Sequence, residues 1–209
     1  LGAALLVAAV VGSGIMAERL ASGNAAIALL ANTLATAAAL YVLIATLEPI
    51  SGAHFNPLVT LVAALRAELR WQTGAAYVIA QLIAAVAGTL LAHAMFELPL
   101  LQIGSRVRAG HGQWLAESVA SFALLIVILG CQAQRRHPAG PVAAIIASAY
   151  WFTASTSFAN PAVTVARALT DSFAGIRPRD VPLFLAAQSL GAVLATLTGA
   201  RLFSNRVLR

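Results

Sequence analysis

The sequence predicts an all-α membrane protein in which six transmembrane helices and two re-entrant half-helices form an inverted repeat. Three observations predict this class. Hydrophobic residues make up 60% of the chain and charged residues only 10%, where a soluble domain carries about a quarter charged residues. Six apolar stretches, 1–17, 25–47, 74–96, 113–132, 139–158 and 181–203, each come close to the ~20 residues that a bilayer-crossing helix needs. An Asn-Pro pair also occurs twice, at Asn56-Pro57 and Asn160-Pro161, and each pair opens an apolar run too short to span.

The long elements follow from length and boundaries. The third span lies between Arg70-Trp71 and Glu97-Leu98-Pro99, and the fourth between His111 and Arg135-Arg136. Small residues recur at Gly2, Ala4 and Ala8, at Ala84, Ala87 and Gly88, and at Gly191 and Ala195. Such positions let membrane helices approach closely. No span alternates as a membrane β-strand would. No cleavable signal peptide is visible. The chain begins at Leu1 inside an apolar run, so further residues are expected upstream.

The half-helices are read from their caps. Asn accepts a free backbone N–H of the first turn through its side-chain oxygen, and Pro at the next position has no N–H to leave unpaired. The first run ends at Arg66, Glu68 and Arg70, the second at Thr170-Asp171. A backbone turn at membrane depth is tolerated where protein buries it or where it lines a wet cavity. Each helix N-terminus carries about half a positive charge, so two facing ones oppose a cation. With the Asn oxygens used as caps, the amide N–H groups of Asn56 and Asn160 are expected to face a pore and donate to a neutral solute.

Three spans and one half-helix therefore occur twice, at 1–98 and 112–209, within one channel domain covering 1–209. Three is odd, so the second unit enters the membrane reversed. Glu117 opens the fourth span. A carboxylate at that depth costs a few kcal/mol, and the favoured reading is structural: it holds the backbone of a half-helix loop by hydrogen bonds. Aligning the two units places a twin Glu two residues before Leu1. Glu48 either does similar work or sits at the interface.

The net charge is +6, and all 13 basic residues are Arg. They are scattered through loops and helix ends, which suits interfacial anchoring and excludes a nucleic-acid partner. Seven lie on one side (Arg66, Arg70, Arg135, Arg136, Arg201, Arg206, Arg209) and six on the other (Arg19, Arg106, Arg108, Arg167, Arg177, Arg179), so charge alone does not orient the chain. Cys131 is the single cysteine; it reads as a small buried apolar residue, and neither metal nor cofactor is expected.

The segments Pro49-Ile50-Ser51-Gly52-Ala53-His54-Phe55-Asn56-Pro57 and Asn160-Pro161-Ala162 resemble the paired motifs of the aquaporin and aquaglyceroporin family, the major intrinsic proteins, over essentially the whole chain. That resemblance implies the hourglass fold, a passive channel and no enzyme. It also implies a homotetramer with one pore per subunit, and both termini with the first half-helix on the cytoplasmic side of a bacterial inner membrane. Two residues depart from the usual pattern: Leu58 stands where the family has Ala, and Val163 where it almost always has Arg. A bacterial branch associated with arsenic resistance is similar in lacking that Arg.

The resemblance also places a selectivity filter by offset from the motifs, at Thr36, Ser148, Ser157 and Val163. A register shift of one or two residues would instead bring Tyr150, Trp151 or Phe152 into it. The backbone carbonyls of Gly52, Ala53, His54 and Phe55 are expected to line the pore, with the His54 imidazole a structural hydrogen bonder. Arg167, one turn beyond Val163, either lends the pore a charge or pairs with Asp171 or the interface. His93, His111 and His137 carry no signal.

These features favour a passive channel for small uncharged solutes: water, glycerol and neutral or methylated arsenicals, through a wide filter without Arg. A strict water channel is the alternative. An inverted-repeat secondary transporter would need a coupling-ion site, for which Glu48 and Glu117 are the candidates. An intramembrane enzyme built on Ser51 and His54 lacks a supporting acid or oxyanion arrangement.

Overall fold

The computed structural model describes residues 1–203, so Arg206, Arg209 and the end of the 112–209 unit lie outside the described residues. The elements are α1 (Gly2–Leu20), α2 (Ala25–Ser51), α3 (Pro57–Leu65), α4 (Trp71–Met95), α5 (His111–Ala133), α6 (Ala139–Phe152), α7 (Pro161–Arg167) and α8 (Val181–Phe203), the last entered through a single 3₁₀ turn, Pro178–Asp180. All regular structure among the described residues is helical. α1, α2, α4, α5 and α8 are long and apolar enough to cross a membrane.

Local chemistry sets the boundaries. α2 starts where the Asn24 side chain accepts the N–H groups of Ala26 and Ile27, and it stops at Gly52, which is left-handed at φ 72°. α6 is shorter than its apolar stretch suggests, 14 residues ending at Phe152 where the span was expected to run to 158. The Thr153 hydroxyl bonds back to the Ala149 carbonyl and accepts the Ser157 N–H at 3.1 Å. Those bonds end the helix and give residues 153–160 to the loop that carries the second Asn.

Packing repeats itself. α1 lies against α2 and α4, and α5 against α6 and α8; α3 rests on α4, and α7 on α8. α4 also meets α7, α3 meets α8, and α2·α6 and α3·α7 close the set across the middle. Exchanging α1–α4 for α5–α8 returns the same neighbours for each of these pairs; α1 also touches α7. Two glycines permit the tightest of these contacts. A Cβ on Gly88 would collide with the Ala4 carbonyl of α1, and a Cβ on Gly191 with the Ser118 carbonyl of α5. The outer faces expose Val42, Ile79, Ile83, Val193 and Leu197, apolar side chains suited to hydrocarbon rather than water.

The two ends differ. At one, Arg66, Arg135, Arg136, Glu48 and Glu68 surround the mouth of a cavity. At the other, the loop 98–110 is strapped across residues 168–180. Gly104 N–H bonds the Ala168 carbonyl at 2.9 Å, and Arg177 N–H bonds the Arg106 carbonyl at 2.8 Å. Ser105 donates from its N–H and hydroxyl to Asp171. His93, fully buried, joins Leu100 O at 2.8 Å to the Thr170 hydroxyl at 2.9 Å, a role with no counterpart in the sequence reading.

Candidate functional site

The two Asn-Pro loops meet in the middle of the molecule. Asn56 caps α3 by accepting Leu58 N–H at 2.9 Å, and Asn160 caps α7 by accepting Ala162 N–H at 3.0 Å and Val163 N–H at 3.3 Å. Pro57 and Pro161 take the first helical positions. Each Asn amide also crosses to the other loop. Asn56 Nδ2 donates to the Ala159 carbonyl and Asn160 Nδ2 to the Phe55 carbonyl, both at 2.8 Å. Each amide thus commits one of its two hydrogens to the opposite loop, where the sequence alone had both facing a pore. The Phe55 carbonyl is correspondingly engaged.

Both loops are strained at the same offsets. Ala53 and Phe55 have φ of 45° and 47°, and Ser157 and Ala159 have φ of 49° and 48°. Left-handed non-glycine residues cost about 1 kcal/mol or more each, so the loops need partners that hold them. Glu117 is one. Its carboxylate accepts Phe158 N–H at 2.9 Å, Ala159 N–H at 3.0 Å and the Gln188 amide at 2.6 Å. Hydrogen bonds to a charged acceptor are worth about 1.5–3 kcal/mol each, which offsets the several kcal/mol of burying it.

A second set of braces went unread in the sequence. Gln188 also donates to Thr164 Oγ1 at 2.8 Å, and Gln81 donates to Thr60 Oγ1 at 2.9 Å. Thr164 and Thr60 donate in turn to the carbonyls of Asn160 and Asn56. His54 Nδ1 lies 3.1 Å from the Thr60 hydroxyl. The signal was present: both motifs read Asn-Pro-x-x-Thr, with a Gln in the span that follows.

A cavity of about 590 Å³ runs from the arginine-rich mouth past Asn56 and Asn160 to Val163 and Arg167. Gly52, Ala53, His54 and Phe55 line it, and its remaining walls are largely apolar, with Leu40, Ile44, Leu124, Val142 and Ile146 among them. Leu58, Pro57, Pro161 and Ala162 lie behind it; Leu58 packs with Val62 and Leu125, and Ala162 with Val11 and Ala85. Thr36, Ser157 and Val163 are buried and face the cavity. The Ser157 hydroxyl has no hydrogen-bond partner among the described residues.

Ser148 requires correction. It is exposed on α6 and its hydroxyl bonds the Ala144 carbonyl of its own helix at 2.9 Å. Val142, Ile146 and Tyr150 recur every four residues and turn one stripe of α6 toward the cavity, and a residue two positions from Tyr150 points to the opposite side. The aromatic residue therefore stands on the wall in place of the serine. Its phenol donates to the Thr36 hydroxyl at 3.3 Å.

Arg167 and Arg108 depart from the interfacial role read from composition. Arg167 is 1% exposed. Its Nε donates to the Ala174 carbonyl, its Cζ lies 3.3 Å from the centre of the Phe158 ring, and its Nη1 has no partner among the described residues. The expected pairing with Asp171 is absent; that carboxylate takes Ser105 instead. Arg108, 6% exposed, donates to the carbonyls of Gly175 at 2.8 Å and Ser155 at 3.0 Å. It covers Phe158 at 4.8 Å, with its N–H on Asp180 at 2.9 Å.

The chain is similar in sequence to known proteins. The profile of the family described as major intrinsic protein matches residues 1–156. The chain is 57% identical over 196 residues to "Aquaglyceroporin AqpS" of Rhizobium meliloti (strain 1021), covering 93% of this chain and 84% of that one. It is 31% identical over 180 residues to "Probable aquaporin AqpM" of Archaeoglobus fulgidus, covering 79% and 72%. With "Probable aquaporin NIP-type" of Nicotiana alata it shares 30% identity over 165 residues, covering 78% and 60%.

Proposed function

The chain belongs to the major intrinsic protein family and is a multi-pass membrane channel for small neutral solutes, and from that membership we propose that it conducts water, glycerol and neutral, including methylated, arsenicals. One observation carries this reading: the cavity wall at residue 163 is a buried valine. A long guanidinium at that position would narrow the passage and present a fixed charge. Valine leaves the width to larger solutes and gives their apolar groups a surface. Pore diameter, lining donors and electrostatic barriers set selectivity in such channels. We assign the filter to Thr36, Tyr150, Ser157 and Val163, with Asn56 and Asn160 as the midpoint donors and Gly52 to Phe55 as the approach.

Arsenite near neutral pH is largely uncharged, so a pore selective for neutral solutes passes it without a coupling ion. A homotetramer is the assembly proposed, and a bacterial inner membrane the location, the latter in keeping with the rhizobial relative. Tyr150 favours the alternative, a strict water channel, because its phenol on Thr36 narrows one side of the passage.

Stopped-flow light scattering on proteoliposomes separates the two. Wild type is expected to pass water, glycerol and undissociated arsenous acid, and Val163→Arg to keep water while losing the larger solutes by about tenfold or more. Wild type that passes water alone assigns the constriction to Tyr150, and Tyr150→Ala then opens it to glycerol.

A further inference from the structure

Arg167 is a buried cation that the structural duties around it do not account for. The loop it touches is held by others: Arg108 bonds Gly175, Ser155 and Phe173, and Glu117 holds Phe158 and Ala159. The Arg167 side chain gives that loop one hydrogen bond, from Nε to the Ala174 carbonyl, beside the Ile176 N–H that the Arg167 backbone carbonyl accepts at 3.2 Å. Its Nη1 is buried and unpartnered among the described residues, and Arg167 is one of the residues that border the cavity. A guanidinium kept away from water without its donors satisfied is costly, so its retention there calls for a ligand.

The direction of the side chain supplies the position. Helical side chains lean toward the helix N-terminus. Arg167 at the end of α7 therefore reaches back, and its Cζ rests over Phe158, a residue that precedes the helix. Its α7 neighbour on the same face, Val163, also lines the cavity. A cationic fork thus stands beside the valine, although the valine itself carries no charge.

We propose that Arg167 is a specificity-determining residue of this pore, returning to the wall beside Val163 a guanidinium that residue 163 does not provide. Nη1–H donates to the oxygen of a neutral solute while the solute's apolar part lies on Val163. The fixed charge repels protons and metal cations. The ligand class is an oxygen acceptor with an apolar flank, and this rests on the channel reading above.

The test uses full-length protein in liposomes, with water, glycerol and proton fluxes measured on the same preparation, protons by an enclosed pH dye. Arg167→Gln is expected to raise proton flux relative to water flux by about tenfold and to lower the glycerol-to-water ratio by about threefold. Arg167→Lys keeps the charge and loses the fork, so its proton ratio stays at the wild-type level and its glycerol ratio falls. An Arg167→Gln channel with both ratios of wild type overturns the proposal and reduces Arg167 to a buttress of Ala174. Should Arg167→Gln fail to fold, Arg167→Lys decides by its glycerol ratio, and an unchanged ratio overturns the proposal. Should both fail, proton flux through wild type at ionophore level overturns it. Wild type without water or glycerol flux defeats the channel reading instead, which keeps the two failures distinct.

Discussion

At the scale of single residues, a few buried polar groups hold the centre together. Glu117 accepts three hydrogen bonds and leaves two loop N–H groups orphaned if it goes. Glu117→Gln keeps the shape but turns an NH₂ toward one of those donors, so a loss of about 2–4 kcal/mol is expected; thermal unfolding in detergent measures it, and an unshifted midpoint would remove Glu117 from this role. Thr60, Thr164, Gln81 and Gln188 escaped the sequence reading because a Thr or Gln in an apolar span has many possible partners, and only the fold selects one. Ser148 was misplaced for a related reason: counting along the chain assumes a fixed connection, and α6 ends six residues early. Arg108 was taken for a surface charge because sequence does not show that a loop folds inward.

At the scale of elements, the closest helix contacts rest on two glycines at matching places. Gly88→Ala drives a methyl into the backbone of α1, and Gly191→Ala into that of α5. Each is expected to cost about 1–3 kcal/mol, with similar losses because the contacts are alike; detergent melting curves for the pair check this, and two unchanged curves would show that the helices shift freely. These small-residue positions were legible in the sequence, as were the caps at Asn56 and Asn160, since both depend on local chemistry. The strap made by residues 98–110 was not, since it depends on partners about 70 residues away. Hydrogen bonds from the Ser105 hydroxyl and N–H hold the Asp171 carboxyl below its ordinary pKa of 3.8. A lowered folded value gives stability that is present above the unfolded pKa and lost as pH falls through the folded one. The strap therefore stays docked at neutral pH and loosens below about pH 4; amide exchange around Ser105 at pH 7 and pH 3 is the measurement.

At the scale of the whole molecule, the arginines divide between two ends, and the chain must sit in the bilayer one way round. We expect the end bearing Arg66, Arg70 and Arg135 to face the cytoplasm. In a Cys131→Ser background, a membrane-impermeant maleimide added outside should label Arg179→Cys in intact cells and reach Arg70→Cys only after lysis; the reverse pattern would invert the assignment. The fold class was legible because bilayer thickness and a duplicated cap leave little choice. The balance of charge was not decisive, because the numbers on the two sides are nearly equal.

The crossed amides have a consequence for how the chain is made. Asn56 finds its second partner at Ala159, and Phe55 finds its donor at Asn160. A ribosome that has just finished α4 has produced a loop whose amide and carbonyl have no protein partner inside the membrane. About 65 further residues must emerge before these groups can pair, and the strained turns on both sides close in the same event. The first half is thus inserted well before it is finished. The two halves reach their final form together, as a late and cooperative step of biogenesis.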